Sequence, residues 1–279
     1  MAVALSLLLR GAKHRYARLM DLKLSGKRVL VTGGNSGLGA AIVRAFAAEQ
    51  ARVAINYVVH PELTAQLAGS LRAAGSEVLE LAADVTQPDA VAAMFQKLDA
   101  AWGGLDVLVN NAGIDGPRAM AWDTDPAAFN RVLQINLSGA FLCAREALKR
   151  MVAQRAGVII NTSSVHELIA WSGYSGYAAS KAGLSMMSRT MAQEAGAYGV
   201  RVLCIAPGAI RTAINAAVWQ DAAGQQDLLS KIAIGRVGEP QDVAGMAVVL
   251  ASDVAGYVTG TSVYIDGGMT DYPAFSHGG

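Results

Sequence analysis

Short β-branched runs alternate with longer alanine-rich segments along most of the chain. Arg28–Thr32, Arg52–Tyr57, Glu77–Ala82, Val107–Asn110, Gly157–Thr162, Val200–Ile205 and Ser262–Ile265 are the strand candidates. Runs such as VLVT and LDVLVN lack a strict apolar–polar alternation, which suits strands covered on both faces. Helical patterns fall between them at Leu38–Glu49, Pro61–Ala74, Pro88–Trp102 and Pro126–Val152. Strands separated by helices predict right-handed crossovers and an α/β fold, a Rossmann-type doubly wound parallel sheet flanked by helices. No linker or compositional break interrupts residues 25–279, so one catalytic domain is expected there, after an N-terminal extension over 1–24. The rhythm breaks only at Gly208–Gly238, where a short helical pair is expected. That insertion would lie beyond the carboxyl end of the sixth strand, where open sheets bind ligands, and it reads as a substrate lid.

Composition narrows the class. Hydrophobic residues are 53% of the 279 and charged residues 16%, enough for a large core with apolar surface left for subunit contacts. A net charge of +1 gives no broad nucleic-acid footprint. The two cysteines, Cys143 and Cys204, fall in a helical and a strand pattern and are expected as buried thiols. The opening MAVALSLLLRG is too short to span a membrane and is followed by the basic KHRYAR; a natural start would be Met20. A cytoplasmic protein is expected.

The first strand runs into TGGNSGLG, Thr32 to Gly39. Gly33 permits a tight turn, Gly37 lets backbone approach a pyrophosphate, and Gly39 allows close helix–sheet contact. The helix beginning near Leu38 aims free N–H groups at the phosphates. Asp84, after the third strand, could accept an adenine amino hydrogen. The segment NNAG, Asn110 to Gly113, crests the fourth strand with small residues; Asn110 could instead lock neighbouring strands. The second strand ends in NYVVH, without the carboxylate that would hold a ribose or the arginine that would take an extra phosphate. The missing cation tilts the choice toward NAD, while His60 keeps NADP open.

YSGYAASK holds the reactive candidates. Tyr177 and Lys181 are four residues apart and share a helix face. An ammonium nearby would lower the phenol pKa from its usual value near ~10. Tyr174 lacks such a partner and is expected at the pocket border. Ser163 and Ser164 leave the fifth strand on opposite faces, and either could orient a reacting oxygen.

Together with Asn136 in INLSG and the Pro207-Gly208 pair, these motifs resemble the classical short-chain dehydrogenase/reductase family from about Ser25 onward. The resemblance implies catalytic roles for Ser164, placed thirteen residues before Tyr177, and for Asn136, which would hold a water behind Lys181. It implies a cofactor cradle of Gly33, Asn35, Ser36, Gly37, Leu38, Gly39, Tyr57, Asp84, Val85, Asn110, Ala112, Gly113, Tyr177, Lys181, Pro207, Gly208, Ile210 and Thr212. SSVHELIAW, PGAIRTAIN and DGGMTDYPAF are further similar to the bacterial glucose 1-dehydrogenase subgroup, although Val58 and Arg211 depart from it. That likeness implies oxidation of an aldose to its lactone, with Asp115, Ser164, His166, Tyr174 and Asn215 as sugar contacts. Trp171 and Trp219 could stack on a pyranose or pack against the lid. It also implies a homotetramer, with Tyr272 and Phe275 at a subunit contact. Alternatives are a ketone or 3-oxoacyl thioester reductase and a non-catalytic dinucleotide-binding regulator. No metal, nucleic acid or membrane is expected in the reaction.

Overall fold

The computed structural model describes residues 21–212 and 222–271. Expectations for residues 1–20, Asn215, Trp219, Tyr272 and Phe275 lie outside the described residues. The strands are β1 (Arg28–Val31), β2 (Arg52–Tyr57), β3 (Val78–Ala82), β4 (Val107–Asn110), β5 (Gly157–Thr162), β6 (Val200–Pro207) and β7 (Ser262–Ile265). All seven join one sheet in the order β3-β2-β1-β4-β5-β6-β7, and every pairing is parallel. The order reverses direction between β1 and β4, so their carboxyl ends open a crevice.

Helices α1 (Gly37–Ala48), α2 (Pro61–Ala73), α3 (Pro88–Trp102), α4 (Pro126–Leu133), α5 (Ala140–Gln154), α6 (Ser175–Ala195), α7 (Ala222–Leu229) and α8 (Pro240–Ala251) complete the framework. Proline opens four of them, where its missing N–H costs nothing. The sheet is buried from both sides. Val29, Val31, Val53, Ile55, Val107 and Val109 face one layer with Ile42, Phe46 and Val243. Leu30, Ala54, Leu108 and Ile159 face the other with Phe95, Leu98 and Met151. This two-sided burial is why the strand sequences do not alternate.

One sequence expectation changes. The single helix expected over Pro126–Val152 is α4, a π-helical turn at Gln134–Gly139, and α5. The wider turn carries Asn136, whose amide reaches across to Ile114, and Gly139, where a Cβ would strike Val85. Side-chain bonds made by the turn thus break a pattern that looks continuous in sequence. In 208–238, the described helix is α7; the rest of the expected pair lies outside the described residues. The two ends of this excursion are joined, since Ile210 bridges Gly238 and Arg211 N donates to Gly238 O at 2.8 Å.

Both cysteines are buried and unpaired. Among the described residues, no helix is long and apolar enough to cross a membrane.

Candidate active site

The glycine-rich turn sits where β1 meets α1. Gly33 and Gly37 both adopt positive φ, +59° and +49°, which residues with a side chain rarely tolerate. A Cβ on Gly39 would collide with Gly33 O, so helix and turn touch through glycine alone. Ser36 caps α1 in extended conformation, yet its hydroxyl makes no capping bond and is left for a ligand. Asn35 Nδ2 donates to Val59 O at 2.8 Å and His60 O at 3.2 Å, tying the turn to the end of β2. Half-buried Tyr57 ends that strand, and His60 beyond it faces Glu62 across 3.1 Å. Asp84 Oδ1 accepts from Thr86 N at 2.9 Å and Thr86 Oγ1 at 2.8 Å, which fixes the carboxylate at the crest of β3. Val85 is buried beside Gly139.

Asn111 was not singled out in sequence and holds the crevice together. Its Nδ2 donates to Thr32 O and Gly33 O, both at 3.1 Å. The backbone N–H groups of Asn111 and Ala112 donate to Thr32 Oγ1 at 3.0 and 3.1 Å. The NN doublet was the available signal, since consecutive strand residues point to opposite faces. Asn110 turns the other way. Its amide donates to Ala140 O and Asn161 Oδ1, so its side chain locks β4 to its neighbours, the structural alternative raised for it above.

Past the crest lies a cavity of about 500 Å³. Leu38, Gly113, Pro207, Gly208, Ile210 and Thr212 line it with Ser164, Tyr177 and Lys181. Lys181 is 5% exposed, and Nζ donates to Thr162 O at 2.8 Å. A Cβ on Gly113 would stand 3.6 Å from that Nζ, so glycine keeps the approach to the ammonium open. Asn136 is 1% exposed; its Oδ1 accepts from Ile114 N at 2.9 Å, and its Nδ2 donates to Ile114 O at 2.8 Å and Ser180 Oγ at 3.0 Å. The amide therefore clamps the β4 crest onto α6 with both of its N–H donors and one bond to its oxygen. The two serines separate: Ser163 Oγ donates to Lys181 O at 3.3 Å, whereas Ser164 Oγ accepts from His166 N at 3.2 Å and lines the cavity with Tyr177.

The electrostatics depart from the expected lysine-lowered phenol. Burial pushes Tyr177 up to about 12; the Ser164 hydrogen bond works against this, and the Asp115 charge adds to it. Lys181 Nζ stands 5.5 Å from the ring centroid and donates to Thr162 O. Burial lowers Lys181 itself to about 8, opposed by Asp115, Cys204 and Glu167. Burial also raises the Asp115 carboxyl above its usual range, against the pull of Lys181 and His166.

His166 and Asp115 both line the cavity. His166 Nδ1 lies 3.0 Å from Ile169 O, and its ring stacks on Trp171 at 4.4 Å. Tyr174 stacks on Trp171 at 3.9 Å. Trp171 thus packs between aromatic neighbours and also lines the cavity. Tyr174 lines a small recess with Phe129 and Ser175 that shares Asp115 and Tyr177 with the main cavity, which places it at the pocket border.

The glycine turn, the unspent Ser36 hydroxyl and the open Gly113 approach to Lys181 fit a nicotinamide dinucleotide. A family model described as enoyl-(acyl carrier protein) reductase matches residues 33–270. The chain is 43% identical over 259 residues to 3beta-hydroxysteroid dehydrogenase 1 of Eggerthella lenta, covering 91% of this chain and 98% of that one. It is 36% identical over 252 residues to glucose 1-dehydrogenase 2 of Bacillus subtilis, covering 90% and 97%. A gluconate 5-dehydrogenase structure from Burkholderia cenocepacia, in complex with NADP and tartrate, superposes with a TM-score of 0.87 at 32% identity, covering 91% and 99%. With the parallel sheet, the glycine turn and the Ser164–Tyr177–Lys181 cluster already in place, these matches settle the family: the chain belongs to the short-chain dehydrogenases/reductases and is an NAD(P)-dependent oxidoreductase.

Proposed function

We propose that the protein interconverts a secondary alcohol on a largely apolar ring and the corresponding ketone, with hydroxysteroids and substituted cyclohexanols as the substrate class. The observation carrying this reading is the wall beside the reactive hydroxyls. Ile114, Val165, Ile169, Ala170 and Trp171 line it, and Leu228 and Met269 face it from the lid side and the end of the sheet. An apolar wall gains by burying hydrocarbon and leaves sugar hydroxyls unpaired. The steroid relative supports the same class. A second reading is aldose oxidation to a lactone. It is favoured by Asp115, which faces the cavity without a protein hydrogen-bond donor among the described residues, and by the glucose dehydrogenase relative.

In oxidation, Tyr177 accepts the proton from the substrate hydroxyl, and Ser164 orients that oxygen. The bound nicotinamide supplies the hydride acceptor. Lys181, held as an ammonium, donates to the nicotinamide ribose and favours a phenolate on Tyr177. Asn136 keeps the Ile114 strand crest and Ser180 in register with Tyr177 and Lys181. In reduction, Tyr177 gives the proton back. NAD is the preferred coenzyme, supported by the Glu62 carboxylate beside His60 where an extra ribose phosphate would need a cation. A catalytic domain over 25–279, a lid over 208–238 and a cytoplasmic homotetramer complete the proposal. Exposed Phe141 on α5 and Met186 on α6 support subunit contacts.

The test is a panel of 3-hydroxysteroids, cyclohexanols, aldoses and their keto forms, run with each coenzyme and read as nicotinamide absorbance. The reading expects higher kcat/KM for ring alcohols than for aldoses. A preference for glucose or another aldose would transfer the assignment to the second reading, and no turnover across the panel would sink both.

A further inference from the structure

The short helical turn Val165–Glu167 follows Ser164 directly, and its last residue turns inward. Glu167 Oε1 accepts from Tyr264 OH at 2.9 Å and from Ser185 Oγ at 3.2 Å. Ser185 lies one helical turn beyond Lys181 on α6, and its hydroxyl is shared with Ser262 Oγ at 3.2 Å. One carboxylate therefore joins the serine-bearing turn, the helix of Tyr177 and Lys181, and the edge strand β7. Its second oxygen, Oε2, is shielded from solvent and has no hydrogen-bond partner. A carboxylate left half satisfied in the interior calls for a compensating charge.

Two cations of α6 flank this carboxylate: Arg189, which acts on Tyr264, and Lys181, which lines the cavity. The groups acting on Lys181 are Asp115 from the loop after β4, Cys204 from β6 and Glu167 from the turn, all favouring the ammonium against burial. Cys204 is held as a neutral thiol, pushed up to about 11 by burial. Asp115 faces the cavity, where a substrate can cover it. Glu167 is sealed behind the helix by Tyr264, Ser185 and Ser262, with Arg189 acting on the Tyr264 side.

We propose that Glu167 is a positioning residue: from behind the reactive helix it supplies the counter-charge that keeps Lys181 an ammonium ready for the coenzyme ribose. The proposal rests on the ribose-holding role given to Lys181 above. Its effect is read in coenzyme binding rather than turnover, because Lys181 is the group given to the coenzyme ribose.

The experiment measures NADH dissociation constants by fluorescence from pH 6 to 10. In the unsubstituted protein, affinity falls as pH rises through the Lys181 value of about 8. Glu167→Gln keeps an oxygen for the Tyr264 and Ser185 donors and removes the charge. It is expected to move that fall to lower pH by roughly half a unit or more. Tyr264→Lys, on the half-buried edge strand, leaves Glu167 in place and sets a cation against it. It is expected to move the fall in the same direction, and it decides the matter if the Gln variant does not fold. Tyr264→Phe keeps the carboxylate and is expected to leave the fall where it was. A fall unmoved in a folded Gln variant or in Tyr264→Lys overturns the proposal, as does a shift in Tyr264→Phe equal to that of Tyr264→Lys. Absence of NADH binding at every pH would overturn the coenzyme reading itself, and is thereby told apart from failure of this inference.

Discussion

Asn111 offers a sharp test of how the coenzyme turn is held. Its amide gives two hydrogen bonds, to Thr32 O and Gly33 O, each 3.1 Å long. At about 0.5–1.5 kcal/mol net for each bond, Asn111→Ala should cost ~1–3 kcal/mol. For a chain of this size that is a fall of several degrees in Tm, at roughly 2–4 °C per kcal/mol. Asn111→Asp is nearly the same shape but points an acceptor at two carbonyl oxygens. It loses both bonds and adds repulsion, so it should be less stable than the alanine variant despite filling the space. The backbone bonds from Asn111 N and Ala112 N to Thr32 survive both changes, so the sheet should still form. Because Gly33 begins the phosphate-facing turn, coenzyme affinity should fall along the same series. Calorimetric melting and coenzyme titration of the three proteins decide this. If the aspartate variant were as stable as the original, or more stable than the alanine one, the two-carbonyl clamp would be refuted.

Two further outcomes are expected. Tyr177→Phe should lower kcat by ~10²–10⁴-fold while coenzyme affinity and Tm stay close to the original, because it removes a proton carrier and keeps the ring; steady-state kinetics with a coenzyme titration check it, and retained turnover would remove Tyr177 from the reaction. Burial holds His166 below its usual value of 6.5, with the Ile169 carbonyl and Asp115 opposing. The folded state then binds fewer protons than the unfolded one, so the contribution of His166 is complete above pH 6.5 and is lost as pH falls through the lowered value. His166→Asn should flatten that part of the Tm-versus-pH curve, and an unchanged slope would contradict the neutral, stacked histidine.

Much of the site can be read along the chain because its parts are local. The glycine turn, the NNAG crest and the Tyr177–Lys181 spacing each lie within one turn or one strand end, where backbone geometry fixes which side chains share a face. The absence of alternation in the strands likewise announces a sheet buried on both sides, and the structure bears this out through its two apolar layers. What sequence could not decide depends on contacts between distant residues. The π-helical turn at Gln134–Gly139 exists where the Asn136 amide meets Ile114, a partner 22 residues away. Burial, a property of the packed whole, raises the Tyr177 phenol that helical spacing alone would have lowered. The sequence by itself thus determined the sheet and pointed to the candidate coenzyme crevice and candidate reactive side chains, since these follow from local periodicity and turn chemistry. Only the tertiary structure decided how burial biases the charge of those side chains and that the wall beside them is apolar, since these depend on what distant segments exclude from water.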